Sequence, residues 1–196
     1  MFRSYAPLGF MPQDSRADIR IASVMPPPRV ALDSPALEVL TDFTRIPAAT
    51  IEPEALLDYA NDLMRRRSVR TFLVTGAGGK VAGILTATDV LGEKPVKFAV
   101  EHGVRHEEIR VRDVMTSREM LEFLDYEEVR RASVGHIVAT FRHAGRQHVM
   151  VGERLKGGET IRGIFSLAQV ARQLGADLQP SNVAQSFADI EAALGH

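Results

Sequence analysis

The feature that most constrains the fold of this chain is a seven-residue segment that occurs twice. Residues 83–89 have the sequence GILTATD, and residues 163–169, 80 positions later, have the sequence GIFSLAQ. Each copy is a short apolar run that ends in a hydroxyl residue, and an acidic or amide residue follows three positions later. This spacing is typical of a strand that leads into the capped first turn of a helix. Two copies in one chain predict a duplicated structural unit.

The sequences that precede the two copies match as well. Apolar residues at positions i, i+3, i+4 and i+7 predict an amphipathic helix before each copy. These residues are Leu56, Tyr59, Ala60 and Leu63, and then Val134, Ile137, Val138 and Phe141. A strand is predicted after each helix, at 69–74 and at 149–151. We therefore expect an α/β fold of two β-α-β-β-α repeats, at 36–109 and 110–178.

The two ends of the chain lie outside the repeats. Residues 1–35 contain six prolines, three of them consecutive, and we expect an extended N-terminal arm because each proline ring fixes φ and removes a donor. Residues 179–196 predict a C-terminal helix with Ser181 as its N-cap. Its apolar stripe, which we expect to dock on the chain itself or on a partner, consists of Val183, Phe187, Ile190 and Leu194.

Composition limits the classes of partner. The chain has 196 residues, a formal net charge of −1 and no cysteine. A near-neutral charge argues against a nucleic-acid partner, which needs a basic footprint, and the lack of cysteine excludes disulfides and thiolate catalysis. No apolar run has the length of a signal peptide or a membrane helix. We expect a cytoplasmic protein with no membrane partner.

Motifs for catalysis or metal binding are also missing. Residues 76–80 have the sequence GAGGK, but Val74 and Val81 stand where a phosphate-binding loop needs glycine and a hydroxyl residue. His136 and His143 lie on one predicted helix without a third ligand at a metal-like spacing. We therefore expect no enzyme, no catalytic residue and no metal, although an enzyme whose motif is not recognisable stays an alternative.

The two repeats resemble a tandem pair of CBS domains, the regulatory repeats named after cystathionine beta-synthase and also known as a Bateman module. The matching residues of the first repeat are Thr50, Ile51, Glu52, Pro53, Ala60, Val69, Arg70, Val74 and 83–89. Residues 111–116 resemble the usual opening of a second repeat. The resemblance covers about 36–176 and implies that the repeats pack around a pseudo-twofold axis.

The resemblance implies a cleft for an adenosine-containing ligand: AMP, ADP, ATP or S-adenosylmethionine. A carboxylate accepts two hydrogen bonds, so Asp89 suits the two ribose hydroxyls. Thr86 and Thr88, at the start of the predicted helix, and the guanidinium of Arg70 suit the phosphates. The expected contacts to the adenine come from the strand formed by Ala48, Ala49, Thr50 and Ile51.

An alternative interpretation stays open for the first site, since Thr86 and Asp89 also form an ordinary capping box. The second repeat departs from the pattern. Ser166 and Gln169 are expected to cap their helix, but Gln169 is neutral and offers a single acceptor oxygen, a poor match to a diol. Gln147 stands where the first repeat has Arg70, and its neighbour Arg146 is the cation left for a second site. We expect this second site to be empty or to bind something else.

Two functions follow from these expectations. The first is a stand-alone regulatory module, such as an energy sensor, that binds an adenosine nucleotide as a regulatory ligand, needs no other cofactor, and signals its occupancy to an unknown effector protein. The second is a dimerisation or scaffold protein whose clefts are vestigial. In both cases we expect a homodimer, because twofold pairing is the commonest closed assembly.

Overall fold

The structure is a computed structural model, and it describes residues 8–10, 29–156, 158–176 and 190. This part of the chain forms two modules, each with a four-stranded sheet and its own helices. The predicted α/β fold of two repeats is confirmed. Within the described ranges, every helix is too short or too polar to cross a bilayer.

The helices and strands follow the predicted order. The strands are β1 (Thr41–Asp42), β2 (Thr50–Ile51), β3 (Thr71–Thr75), β4 (Val81–Thr86), β5 (Thr116–Ser117), β6 (Phe123–Asp125), β7 (His148–Leu155) and β8 (Gly158–Ser166). The α-helices are α1 (Leu57–Arg67), α2 (Ala87–Leu91), α3 (Lys94–His102), α4 (Val111–Val114), α5 (Tyr126–Val129), α6 (Val134–Ala144) and α7 (Leu167–Gln173). A short 3-10 helix at Ala36–Val39 precedes β1.

The two sheets have equivalent strand orders. The first sheet runs β2-β3-β4-β5 and the second runs β6-β7-β8-β1. In each sheet the first two strands are parallel and the other pairs are antiparallel. This equivalence follows from the sequence duplication.

Each strand uses its two faces differently, because successive side chains point to opposite sides of a sheet. In β3, Phe72 and Val74 pack in the first core together with Leu57 and Ala60 of α1. Leu73, between them, points to the other side. The first module therefore buries its helices against one face of its sheet and leaves the second face for the other module.

A separate apolar cluster joins the two sheets. It consists of Leu73, Ile84, Met150 and Ile164, all buried. Leu73 and Met150 are equivalent residues of the two repeats, and so are Ile84 and Ile164. The sheets therefore pack face to face around the expected pseudo-twofold axis.

Each module is completed by a segment that precedes the other repeat in the sequence. The 3-10 helix at Ala36–Val39 packs in the core of the second module, and β1 pairs with β8. In the same way, Val111 and Val114 of α4 pack in the core of the first module, and β5 pairs with β4. The free sheet edge of each module accepts this foreign strand, so no cut at residue 109 separates two self-contained units.

This exchange explains the glycine that opens the repeated segment. A Cβ atom on Gly83 would overlap the carbonyl oxygen of Thr116, and one on Gly163 would overlap that of Thr41. Both glycines lie where the added strand pairs with the edge of the sheet. Only a residue without a side chain allows the two backbones to come this close.

An ion-pair network fixes β1 in the second module. The Arg162 guanidinium on β8 donates to both carboxylate oxygens of Asp42, at 3.0 and 3.1 Å, and to Glu153 at 3.1 Å. It also lies over the ring of Tyr126, 4.4 Å from the ring centroid. The hydrogen bonds from Arg162 hold the pKa of Asp42 well below its usual range. The exchanged segment is thus held by charge as well as by strand pairing.

Residues 30–32 and Ile190, near the two ends of the chain, pack on the second module, whereas Leu8 and Phe10 are exposed. Val30 N–H donates to the Gln173 carbonyl at 3.0 Å, and Gly135 N–H donates to that of Leu32 at 2.8 Å, so the last part of the expected arm is docked. Ile190, from the predicted C-terminal helix, is buried in the core of the second module. The rest of that stripe lies outside the described residues, namely Val183, Phe187 and Leu194.

Candidate functional site

A cavity of about 410 Å³ lies between the two modules. The end of β4 and the start of α2 form one wall, with Thr86, Thr88 and Asp89. The opposite wall belongs to the second module and is formed by residues 120–124 and 144–150. This volume is within the range of roughly 300–1,000 Å³ that is usual for small-molecule sites. A single small ligand would therefore contact both modules.

Asp89 is the buried carboxylate of this cavity and is only 7% exposed. Its Oδ2 atom accepts a hydrogen bond from the Thr86 backbone N–H at 2.8 Å and another from Thr86 Oγ1 at 2.7 Å. The Asp89 N–H donates to Thr86 Oγ1 at 3.3 Å. The predicted capping box is present, and it occupies one carboxylate oxygen of Asp89 and leaves the other to a different partner.

Lys94 is the partner of the second carboxylate oxygen. Its Nζ atom lies 2.5 Å from Asp89 Oδ1 and also donates to the Val114 carbonyl at 3.2 Å. A buried carboxylate needs such a partner, because an unpaired charge in the interior is costly. Helix α2 has only five residues and ends at Gly92, so the chain turns and brings the first residue of α3 back to Asp89.

Apolar side chains face these polar groups across the cavity. Leu121 and Met150 belong to or pack against the cluster between the sheets, and Met120 and Phe123 are 68% and 42% exposed at the cavity edge. The arrangement is typical of ligand sites, which combine apolar walls with a few placed polar groups.

His148 lines the cavity at the start of β7 and is half-buried. Its Nε2 atom shares a hydrogen bond of 3.0 Å with Thr71 Oγ1 of the first module. Burial lowers the pKa of His148 to about 4, and the positive charge of Arg70 acts in the same direction. His148 is therefore neutral at pH 7 and offers the cavity a hydrogen-bonding group without a charge.

An ion pair marks the mouth of the cavity. Arg146 Nη2 lies 2.7 Å from Glu122 Oε2, and both side chains are largely exposed. Glu122 neutralises the cation that we had expected to serve a second site. The charged groups that line this cavity thus include two acids, Asp89 and Glu122, and one base, Arg146.

The structure brings only some of the predicted site residues together. Thr86, Thr88 and Asp89 share the cavity, and Arg146 joins them although it was assigned to the second site. Arg70 precedes β3, is exposed and does not line the cavity; its carbonyl accepts a hydrogen bond from the Ala87 N–H at 2.9 Å.

The strand expected to contact the adenine lies outside this cavity. Ala48, Ala49, Thr50 and Ile51 do not line the cavity, since β2 pairs with β3 on the far side of that strand from β4. Ile51 is buried in the first core, and Thr50 is exposed. The equivalent strand of the other repeat, β6, faces Asp89 instead.

The second predicted site is built differently, and one expectation about it is wrong. Ser166 makes no side-chain capping bond at the start of α7. Gln169 cannot complete a capping box, because its Oε1 atom accepts a hydrogen bond from Thr41 Oγ1 at 3.1 Å. Ser166 and Gln169 do not line the cavity that contains Asp89. The side-chain oxygen of Gln169, which would have to accept a hydrogen bond from a ligand, is therefore already bonded to Thr41 of β1.

Sequence reasoning did not single out Glu122 and His148, which line this cavity, or Lys94, which pairs with Asp89. A signal existed for His148, which lies 77 positions after Thr71 and therefore at the equivalent place in its repeat. No local pattern links Lys94 to Asp89, since their contact depends on the turn at Gly92. Among the described residues, no group of three or more His, Asp or Glu side chains is arranged to hold a metal ion.

Comparisons with known proteins agree with this architecture. Residues 39–95 match the sequence model of the CBS domain. An uncharacterized conserved protein from Pyrococcus horikoshii shares the fold over 78% of this chain and 100% of its own, with a TM-score of 0.54 and 18% identity. A CBS domain protein from Thermoplasma acidophilum matches over 79% of this chain and 76% of its own, with a TM-score of 0.50 and 16% identity. No curated protein sequence matches the chain.

A third similar structure contains a ligand. CBSX2, a CBS-pair protein from Arabidopsis thaliana, was crystallised in complex with AMP. Its fold matches 71% of this chain and 94% of its own, with a TM-score of 0.50 and 15% identity. The two modules of the present protein thus have a fold that is consistent with a tandem CBS pair, and residues 39–95 match the CBS domain by sequence.

Proposed function

We propose that the protein is a regulatory module that binds an adenosine-containing ligand in the cavity between its two modules and passes the occupancy to a partner protein. The observation that carries this proposal is the buried carboxylate of Asp89 in a cavity whose opposite wall belongs to the other module and includes the apolar side chains of Leu121, Phe123 and Met150. A ribose diol matches the first feature and the flat, apolar face of a purine matches the second.

The position of the cavity supports a regulatory role rather than a catalytic one. The cavity walls come from both sheets, and those sheets also share the cluster around Leu73 and Met150. A ligand in the cavity therefore stabilises one arrangement of the modules, and such a differential affinity is what shifts a conformational equilibrium. The AMP complex of CBSX2, which has a similar fold, supports adenine nucleotides as the first ligands to test.

The proposal includes a homodimer in the cytoplasm. The apolar side chains Leu91, Val96 and Val100 are 69%, 64% and 78% exposed on α2 and α3, and Tyr59 on α1 is 53% exposed. Apolar groups of this kind on neighbouring helices are a reason to expect self-association. Light scattering at micromolar concentration measures the mass, and a monomer mass would contradict this part of the proposal.

The scaffold function is the second candidate, and a specific observation favours it. Thr86 and Lys94 already satisfy both oxygens of Asp89, so the carboxylate has a complete structural role. Calorimetric titration of the protein with AMP, ADP, ATP and S-adenosylmethionine decides between the two candidates. Binding of any of them at micromolar concentration supports the sensor. If none of the four ligands binds, the scaffold function is favoured. GTP serves as a negative control for binding that is not specific to adenine.

A further inference from the structure

The acceptor capacity of Asp89 conflicts with the binding of a diol. A carboxylate has two oxygens and about four lone-pair sites. Two of these sites, both on Oδ2, accept from the backbone N–H and the hydroxyl of Thr86. A third, on Oδ1, accepts from Lys94. One hydroxyl fits beside these bonds, but the second hydroxyl of a vicinal diol needs a site that is already used.

Lys94 is the partner that leaves most easily. The bonds from Thr86 close the first turn of α2 and are local to it. The Lys94 side chain is half exposed, so its ammonium group regains water when it moves away. The buried Asp89 charge still needs donors, and the ribose hydroxyls supply them in place of the ammonium. A ribose that binds Asp89 therefore exchanges with Lys94 rather than with Thr86.

Lys94 also connects three elements. It is the first residue of α3, it binds Asp89 on α2, and it donates to the carbonyl of Val114 at the end of α4. Helix α4 leads directly into β5, where Thr116 lines the cavity. The later part of α3 is anchored by Phe98, which packs against the first core, and the first turn contains Lys94 and the buried Pro95.

We propose that Lys94 is an internal competitor for the ribose position, and that a ligand with a vicinal diol binds Asp89 by displacing it. The displacement breaks the contacts of Lys94 with Asp89 and Val114 and loosens the first turn of α3. Lys94 thereby sets the affinity of the site and converts occupancy into a change on the surface of the first module. This inference rests on the proposed function, since it concerns the same cavity.

The test uses the uncharged ligands adenosine and 2′-deoxyadenosine, so that the loss of a positive charge does not act through a phosphate. Lys94→Met removes the ammonium and keeps the length of the side chain. We expect adenosine to bind this variant roughly two- to tenfold more tightly than the wild type, from the usual range for such ion pairs. We expect little change for 2′-deoxyadenosine, because one hydroxyl fits beside Lys94.

Two further variants are controls. Lys97→Met removes a lysine of the same helix that is paired with Glu93 and is away from Asp89, and adenosine affinity should not change. Lys94→Arg keeps a charged donor and should bind like the wild type. Amide hydrogen exchange gives a second measurement at Lys97, whose N–H donates to the Glu93 carbonyl across the first turn of α3. Adenosine should speed exchange of this amide in the wild type, and Lys94→Met should show fast exchange with and without ligand.

The outcomes separate the two proposals. If adenosine binds the wild type, and Lys94→Met binds it equally or more weakly, the competitor is ruled out and the proposed function stands. If Lys94→Met binds adenosine and the wild type does not, the result supports Lys94 as a competitor for the ribose position. If neither protein binds adenosine or AMP, both proposals fail together.

Discussion

Thr71 and His148 occupy the same position in the two repeats, and their side chains meet across the module boundary at 3.0 Å. Each is the first residue of its strand, and each pairs in register with the hydroxyl residue that begins a helix, Thr86 or Ser166. The contact therefore lies near the pseudo-twofold axis. The cavity with Asp89 lies beside it, because His148 also lines that cavity.

The burial of His148 predicts a dependence of stability on pH. The pKa of His148 is lowered to about 4 in the folded protein, against an ordinary value of 6.5. The unfolded chain therefore binds more protons between these values, and the free energy of unfolding falls as the pH is lowered through that window. The loss between pH 7 and pH 4 should be roughly 2–3 kcal/mol from this group. Urea unfolding at several pH values measures it.

The matching variant is His148→Gln, which keeps a hydrogen-bonding side chain for Thr71 and does not titrate. It should reduce the slope of stability against pH between pH 4 and 6.5. His143→Gln, at an exposed position on α6, is the control and should leave the slope unchanged. Equal slopes for the wild type and His148→Gln would rule out His148 as the source.

Local signals in the sequence predicted much of the fold. The hydroxyl and acidic residues at Thr86 and Asp89 form the expected capping box, and the apolar spacing in α6 predicted the buried helix face, since these features depend on neighbours along the chain. The face predicted for α1 is wrong, because α1 buries Leu57, Ala60 and Met64 and leaves Leu56 and Tyr59 exposed. Ser166 shows the limit. Its capping partner Gln169 is taken by Thr41, which is 128 residues away in sequence.

The segment exchange and the composition of the cavity depend on such distant contacts. Nothing in the sequence of β1 or β5 indicates which sheet edge it will join. The same duplication that revealed the repeats made it natural to place Ala48, Ala49, Thr50 and Ile51 beside Asp89 of their own repeat. The pseudo-twofold axis instead places the strand of the opposite repeat there.

The close pairing of β4 and β5 predicts that Gly83 tolerates no side chain. Gly83→Ala would place a methyl group against the Thr116 carbonyl, and the backbone would have to shift. We expect the free energy of unfolding to fall by roughly 1–3 kcal/mol, the usual cost of overpacking. Gly76→Ala is the control, because its Cβ atom would meet no atom closer than 4.0 Å. Equal urea midpoints for the two variants would contradict the close contact between Gly83 and the Thr116 carbonyl.

The role of Asp89 in ligand binding predicts a different result for each repeat. Asp89→Asn removes the charge and should lower nucleotide affinity on the order of tenfold to a hundredfold, because charge-assisted hydrogen bonds to a diol are lost. Gln169→Ala should leave the affinity nearly unchanged, since Gln169 is bonded to Thr41 and lies outside the cavity. Calorimetry on both variants measures the effect.

Three outcomes of that experiment contradict the proposal in different ways. Equal losses in the two variants would mean that both repeats bind ligand. No loss in Asp89→Asn would mean that the carboxylate only caps α2. A loss of affinity accompanied by a large drop in the thermal midpoint of Asp89→Asn would mean that the folding of the site, and not the contact with ribose, was removed.

The ion pair at the cavity mouth predicts how the site discriminates ligands by charge. Glu122 lies 2.7 Å from Arg146 and adds a negative charge to the lining of the cavity. Repulsion from Glu122 should weaken ATP binding most, because ATP carries more negative charge than AMP or adenosine. Glu122→Gln removes the repulsion and frees Arg146, so ATP affinity should rise roughly three- to tenfold at low ionic strength. Adenosine affinity should stay the same, and the gain should shrink as salt is added, since both groups are largely exposed.

Glu159→Gln is the matched control, because Glu159 forms an exposed pair with Arg154 and does not line the cavity. Arg146→Gln should act in the opposite direction and weaken ATP binding. An unchanged ratio of ATP to adenosine affinity in Glu122→Gln would show that the phosphates of a bound nucleotide point away from this pair.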